Sequence, residues 1–457
     1  MNATGKPRAK TMTSIPVLNA NAAGIDIGST RHFVAVPEDR ADPCVRSFET
    51  FTSDLNDIAD WLTSCGVQTV ALESTGVYWI PLFQILEQRG FAVYLINSRD
   101  WRNAPGRKTD VEDSQWLQYL HACGLLRASY RPKQEVCAVR TLLRHRDGFV
   151  AAAASSTHLM QKALTQMNLL LHNVISDITG TTGLAIIDAI LAGERNPAVL
   201  AQLRDPRIKN TKEVIAKSLV GDYRREHLFT LKQALKVFRT YQTLITECDE
   251  EIEQLFAEFD SRPPSPEESP AGSGPRKRDR GNVLKFKDTN LEEELHRLLG
   301  VYMTRIPGFG TLTVFNLIGE LGCDLSAFAT FKSFSSYLGL CPGNRITGGK
   351  SMSSKTRNVP SRAAKLFRMA AQSLAHSYSC LGDYYRRMCA RLGRKAGNTA
   401  TAHKLARIYY HLLTTHTEYD ETAFDREKQR LNQRRERRLH KEAALLGFEL
   451  TPKTVNA

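Results

Sequence analysis

Between Asn19 and Asn97 short apolar runs suited to strands alternate with amphipathic stretches suited to helices. That alternation confines this part of the chain to an α/β sheet with helices packed on it. In AGIDIGSTRHFVAVP two apolar runs flank the turn Gly28-Ser29-Thr30, a hairpin signature. DLNDIADWLTSCG is apolar at helical spacing and closes on Gly66. VQTVALES then reads as a buried strand, YWIPLFQILEQRG as a helix ending in Gly90, and FAVYLIN as another strand. From Asp110 onward the pattern is helical.

Residues 131–260 carry almost no strand signal. HLFTLKQALKVFRTYQTLITECDEEIEQLFAEF has apolar residues at three- and four-residue spacing and no proline or glycine, which predicts one long helix. Two packings stay open for it: against its own domain, or as a coiled coil that makes an oligomer contact. SRPPSPEESPAGSGPRKRDRG is too rich in Pro, Ser, Gly and charge to bury a core, so 261–288 reads as a disordered linker. The expected order is a basic tail (1–21), a sheet-and-helix domain (22–130, with elements that can extend to 180), a helical or coiled-coil region (131–260), the linker, a helical C-terminal domain (289–418) and a basic tail (419–457). A length of 457 residues suits two to four domains. The fold class is therefore α/β plus all-α.

Lys and Arg outnumber Asp and Glu by 62 to 48, a net charge of +14 that suits a polyanionic partner. The nine cysteines (Cys44, Cys65, Cys123, Cys137, Cys248, Cys323, Cys341, Cys380 and Cys389) include no CxxC pair, so neither a zinc ribbon nor a disulfide framework is supported. A reducing, cytoplasmic setting is expected. The first twenty residues have no apolar core of a signal peptide, and no stretch reaches the roughly 18 apolar residues that span a bilayer. No membrane partner is expected.

Four carboxylates stand out. Asp26 lies in GIDIG at a strand, Glu73 at the end of VALES, a strand of the same sheet, and Asp110 and Asp113 in GRKTDVEDSQWLQYL. Three residues apart on a helix, the last two share a face. Singly, each of these residue types more often caps a turn or sits on a solvated surface. Together they would repel one another, and a divalent metal compensates that repulsion. Two Mg²⁺ ions about 4 Å apart suit phosphodiester chemistry.

GIDIGSTRHFVAV, ALESTGVYW and GRKTDVEDSQWL resemble the three motif blocks of the DEDD transposases of bacterial insertion sequences. GLAIIDAILAGERNPAVL and EHLFTLKQALKVF are similar to the family's helical middle, and IPGFGTLTVFNLIGELG and YLGLCPGNRITGGKSMSSKTRNVPSRAAKLFRMAAQSL to its C-terminal domain. The resemblance spans nearly the whole chain. It implies a ribonuclease-H-like (RuvC-like) N-terminal domain, a long helical middle and a helical C-terminal transposase domain. It also implies a recombinase guided by a bridge RNA, with metal held by Asp26, Glu73, Asp110 and Asp113. The partners would be DNA at element ends and target, a non-coding guide RNA and further copies of the chain as a dimer or tetramer, with a composite site joining domains of different protomers.

IPGFGTLTVFNLIGELG reads as a glycine turn between helices and resembles a helix-hairpin-helix, whose backbone N–H groups at Gly308 and Gly310 would face DNA phosphates. An ordinary helix pair joined by glycines has the same pattern. The family carries a nucleophilic serine in a Ser-Gly-Gly-Lys-like motif. Here the matching place holds Thr347-Gly348-Gly349-Lys350. A threonine hydroxyl retains the chemistry, although its methyl restricts χ1. Ser351 is the alternative nucleophile, with Ser353 and Ser354 behind it, and all these hydroxyls also suit simple loop hydrogen bonding. Lys350, Lys355, Arg357, Arg362, Lys365 and Arg368 crowd the segment and suit phosphate contact.

Three other classes stay in view. A junction-resolving nuclease would use the same carboxylates with water and no covalent intermediate. GIDIGST also resembles the first phosphate loop of sugar kinases and actin-like ATPases, but no second Asp-Gly-Gly-like loop follows. A catalytically dead nucleic-acid-binding protein is the fourth reading, should threonine fail as the nucleophile.

Overall fold

The computed structural model describes residues 16–97, 109–263 and 282–450, apart from 354 and 358. The central part of the expected linker, most of the first basic tail, the end of the last one and the Gly-Arg-Lys of GRKTDVED lie outside the described residues. Two compact units divide after Arg131.

In the first unit β1 (Ala22–Ile27), β2 (Arg31–Ala35), β3 (Val45–Glu49), α1 (Thr52–Ser64), β4 (Thr69–Glu73), α2 (Trp79–Gln88), β5 (Ala92–Ile96) and α3 (Asp110–Ala122) follow in order. The five strands form one sheet in the order β3-β2-β1-β4-β5. The first three strands are antiparallel neighbours, while β4 and β5 add in parallel. This mixed sheet with flanking helices is the ribonuclease-H-like arrangement. Strand β3 has no counterpart in the sequence reading, because VRSFE is half exposed and carries little apolar signal.

Period-two alternation sorts β1 and β4 between two faces. Ile25, Ile27, Val70 and Leu72 join Ile58, Leu62, Leu82 and Leu86 in the core beneath α1 and α2. Gly24 and Asp26 point to the opposite face, where Ala71, Ile96 and Leu117 form a small core beneath α3. A Cβ on Gly24 would stand 2.2 Å from the Gln118 backbone nitrogen and 2.5 Å from the Ser114 carbonyl oxygen, so the two backbones meet directly there. Gln118 Nε2 donates to the Ala22 carbonyl at 3.1 Å. The lower end of α3 is held by His121, whose Nε2 lies 2.8 Å from Thr69 Oγ1 and whose pKa burial pushes down to about 4.

The second unit begins with α4 (Gln134–Gln166), α5 (Leu171–Val174), α6 (Thr181–Ala192), α7 (Pro197–Gln202), α8 (Lys212–Ser218) and α9 (Arg225–Ala257). Helices α4 and α9 run antiparallel: Arg146 meets Asp249, and Phe149 meets Tyr241 with ring centroids 6.0 Å apart. The apolar stripe of the long helix, including Leu231, Leu235, Phe238 and Ile252, is buried within the chain. The helical pairing is thus intramolecular in this structure.

Then come α10 (Leu291–Leu299), α11 (Thr311–Leu321), α12 (Phe331–Tyr337), β6 (Arg345–Thr347), β7 (Lys350–Ser353), α13 (Arg362–Ser373), α14 (Cys380–Leu392), α15 (Arg394–Thr415) and α16 (Asp425–Leu445). The hairpin β6–β7 lies within an otherwise helical region. All nine cysteines are free. Among the described residues no helix is long and apolar enough to cross a membrane.

Arg146 and Asp249 are fully buried, with Nε donating to Oδ1 at 2.5 Å. The remaining capacity of the pair holds the chain after 281: Arg146 donates to the carbonyls of Asn282 and Val283, and Asp249 accepts from the Lys285 backbone. Glu253 accepts from the backbone N–H groups of Lys287, Asp288 and Thr289. Residues 282–289 are therefore pinned along α9, although their composition reads as linker. Arg146→Met should destabilise the protein by roughly 3–5 kcal/mol, because it strands a buried carboxylate. Arg146→Met with Asp249→Leu should recover most of that loss in urea denaturation. A single variant as stable as the double one would show that the pair does not hold this unit together.

Candidate active site

The four acids of the first unit converge through three local causes. In the parallel register of β1 and β4, Ile25 lies beside Leu72, so the next residues, Asp26 and Glu73, are neighbours at the carboxyl ends of adjacent strands. Alternation turns both toward α3. The close approach at Gly24 then brings the first turn of α3 over them, and that turn carries Asp110, Glu112 and Asp113.

Of these three, Glu112 has a different task. Thr109 Oγ1 accepts from the Glu112 backbone N–H at 3.3 Å, and Glu112 Oε2 accepts from the Thr109 backbone N–H at 3.2 Å. This capping box spends Glu112 on the helix end. It leaves Asp110 and Asp113, three residues apart, for the site. The positive end of the helix dipole favours all three charges.

Glu73 is buried and accepts from Thr75 Oγ1 at 3.0 Å. Sequence reading did not single out Thr75; its only signal is a hydroxyl two residues after a buried acid. Asp26 and Glu73 share a hydrogen bond. Burial pushes the Asp26 carboxyl up from 3.8 to about 7, aided by that hydrogen bond and by the negative charges of Glu73, Asp110 and Asp113. All four acids thus act on one place. Among the described residues no three His, Cys, Asp or Glu side chains stand ready to hold a metal ion. The acids share an electrostatic neighbourhood without closing a ligand sphere.

In the second unit Thr347 and Lys350 face each other across a two-residue turn, Gly348-Gly349. Both glycines have positive φ (+56° and +74°), as a type I′ turn requires, and nothing lies within 4 Å of where a Cβ would stand on either. Thr347, Lys350 and Lys355 are exposed. Ser351 pairs in register with Ile346; its side chain, like all of Ser354, lies outside the described residues. Arg357 donates to the Ser336 carbonyl and hydroxyl at 3.0 and 3.1 Å, fastening the base of the hairpin.

Arg362 and Lys365 stand on α13, which Ser361 caps by accepting from the Ala364 backbone at 3.1 Å. They line a cleft of about 550 Å³ with Arg140, Arg144, Asp147 and Glu320. Arg144 forks onto both oxygens of Glu320, and Arg140 donates to the carbonyls of Gly319 and Glu320. Arg362 lies 3.9 Å from Asp147. Gly308, at φ +95°, packs on α13, where a Cβ would stand 2.6 Å from the Ala370 carbonyl oxygen. Gly310 is exposed just before α11. Gly308 thus has a packing reason to be glycine.

A ribonuclease-H-like sheet with an acidic cluster at its strand ends, followed by a helical region, is a frame suited to an enzyme that cuts nucleic acid. Residues 23–169 match the transposase family model of the IS110 type with the DEDD motif, and residues 302–386 match that of the IS116/IS110/IS902 transposase family. The chain belongs to the IS110-family DEDD transposases. No curated protein matched it.

The Asp26 geometry sets a pH test. A carboxyl whose pKa is higher in the folded chain than in the unfolded one holds more protons when folded, so stability falls as pH rises between about 4 and 7. Asp26→Asn removes that slope. In EDTA, the thermal midpoint of Asp26→Asn relative to the parent should rise steadily from pH 4.5 to 7.5. Parallel pH curves for the two proteins would show that Asp26 is an ordinary solvated acid.

Proposed function

We propose that this transposase cuts and rejoins DNA strands to move an insertion sequence, with Mg²⁺ held by Asp26, Glu73, Asp110 and Asp113 and with Thr347 as the covalent nucleophile. The observation that carries the reading is the placement of Asp26 and Glu73 at the carboxyl ends of adjacent parallel strands, beneath the helix turn that carries Asp110 and Asp113. DEDD transposases generally use divalent metal ions. The residue types fit such an ion: four carboxylates, with Asp26 and Glu73 at adjacent strand ends and Asp110 and Asp113 on the helix turn over them. Mg²⁺, as two ions, would supply charge neutralisation at the scissile phosphate. Glu73, fixed by Thr75, would set the orientation of the donor set, and the capped end of α3 would present Asp110 and Asp113.

At the hairpin, Thr347 Oγ1 would give up its proton as it bonds to phosphorus. One deoxyribose oxygen would leave, taking up a proton. A phosphothreonine ester then replaces a phosphodiester, and the reverse reaction with another strand end rejoins DNA. The open tip at Gly348-Gly349 leaves Thr347 accessible, and Lys350 directly across the turn would pair with the phosphate. Lys355 and Arg362 would extend that contact, and Gly310 would offer backbone N–H groups to DNA. Resemblance to the bridge-RNA-guided members supports a non-coding guide RNA that selects the DNA, and assembly of several copies.

Asp26→Asn and Asp113→Asn keep side-chain shape and remove charge, so each should lower Mg²⁺-dependent strand cleavage by at least 100-fold while DNA binding persists. Full cleavage by Asp26→Asn would refute the metal assignment.

The nucleophile is tested separately on denaturing gels that retain protein-linked DNA. Thr347→Ala should abolish the adduct, Thr347→Ser should keep or increase it, and Ser351→Ala should reduce it less. An adduct that survives Thr347→Ala and maps to Ser351 would transfer the role. Mg²⁺-dependent nicking with no adduct in any variant would make the enzyme a hydrolytic, junction-resolving nuclease.

A further inference from the structure

Helix α16 has no buried side chain among its described residues, and it lies outside both family-model matches. A 21-residue helix with mostly exposed side chains is not part of a core. Its charges are not randomly arranged. Arg430, Arg434, Arg437 and Lys441 follow one another at spacings of four, three and four residues, which at 3.6 residues per turn places them within about 60° of arc. All four are exposed. Glu436 and Glu442 fall off this stripe, and Glu442 is engaged at 2.8 Å by Arg438, which also lies off it.

We infer that α16 is a DNA-docking helix whose stripe of Arg430, Arg434, Arg437 and Lys441 grips the phosphates bordering a duplex groove. The stripe is about 16 Å long at 1.5 Å per residue, matching about five base pairs. Duplex DNA, rather than RNA, fits the shape: the B-form major groove is about 12 Å wide and admits an α-helix, whereas the A-form major groove is too narrow for side-chain reading. The inference rests on this chain being a DNA-binding transposase. It does not depend on the carboxylate chemistry or on Thr347.

The test uses the full chain in EDTA, so that cleavage plays no part. Binding to a 30-base-pair DNA duplex of arbitrary sequence is followed by fluorescence anisotropy from 50 to 300 mM salt. Changing Arg430, Arg434, Arg437 and Lys441 together to Gln should make the slope of log K against log salt shallower by about three to four, at 0.9 per phosphate contact. Helix content and thermal midpoint should not move, because none of the four is buried. Singly, Arg434→Gln should weaken binding more than Arg438→Gln, although both remove one charge. An unchanged slope, equal effects of the two single variants, or a slope change confined to an A-form RNA duplex would each overturn the assignment.

Discussion

The contact on which the N-terminal unit depends is the approach of α3 to β1 at Gly24. Backbone meets backbone there, with no room for even a methyl group. Every element of the acidic cluster follows from that approach. It sets the height of the first turn of α3 above the sheet, and with it the distance of Asp110 and Asp113 from Asp26 and Glu73. Apolar packing of Leu117 on Ala71 and Ile96 stabilises the approach, but a wider separation would retain that packing and disperse the charges. The acids repel one another, so the fold has to hold them together. Capping by Thr109 and Glu112 and the anchoring of His121 at the other end of α3 do so.

The second unit depends instead on a buried ion pair. Arg146 and Asp249 lie at the crossing of α4 and α9, where the apolar stripes of both helices are interrupted. Their value lies in what else they bind. By receiving the backbone of residues 282–285, the pair fixes the path of the chain that leads into α10. Glu253 continues the same task one turn along.

The hairpin carrying Thr347 is held by local geometry at its tip and by a tertiary contact at its base. Gly348 and Gly349 supply the two positive φ values of the turn, and Arg357 ties the base of the hairpin to Ser336. Thr347 places a hydroxyl at an exposed position across the turn from Lys350.

By itself the sequence determined the alternation of strands and helices, the strands that carry Asp26 and Glu73, and the shared face of Asp110 and Asp113. These are local properties, written in periods of two and 3.6 residues and in the conformational freedom of glycine. Strand β3 escaped because an edge strand half open to solvent need not be apolar. Which acid of Asp-Val-Glu-Asp caps the helix is also local, because Thr109-x-x-Glu112 has capping-box spacing, although the sequence reading passed over it. Two further matters were decided only by tertiary structure. Gly308 serves packing because α13 arrives against it, and residues 282–289 are ordered because Asp249 and Glu253 on α9 take their N–H groups. Pairing of this kind joins residues 34 to 137 positions apart, and no window on the sequence can register it. Composition describes what a segment can do alone; burial and hydrogen bonding to distant elements decide what it does in the folded chain.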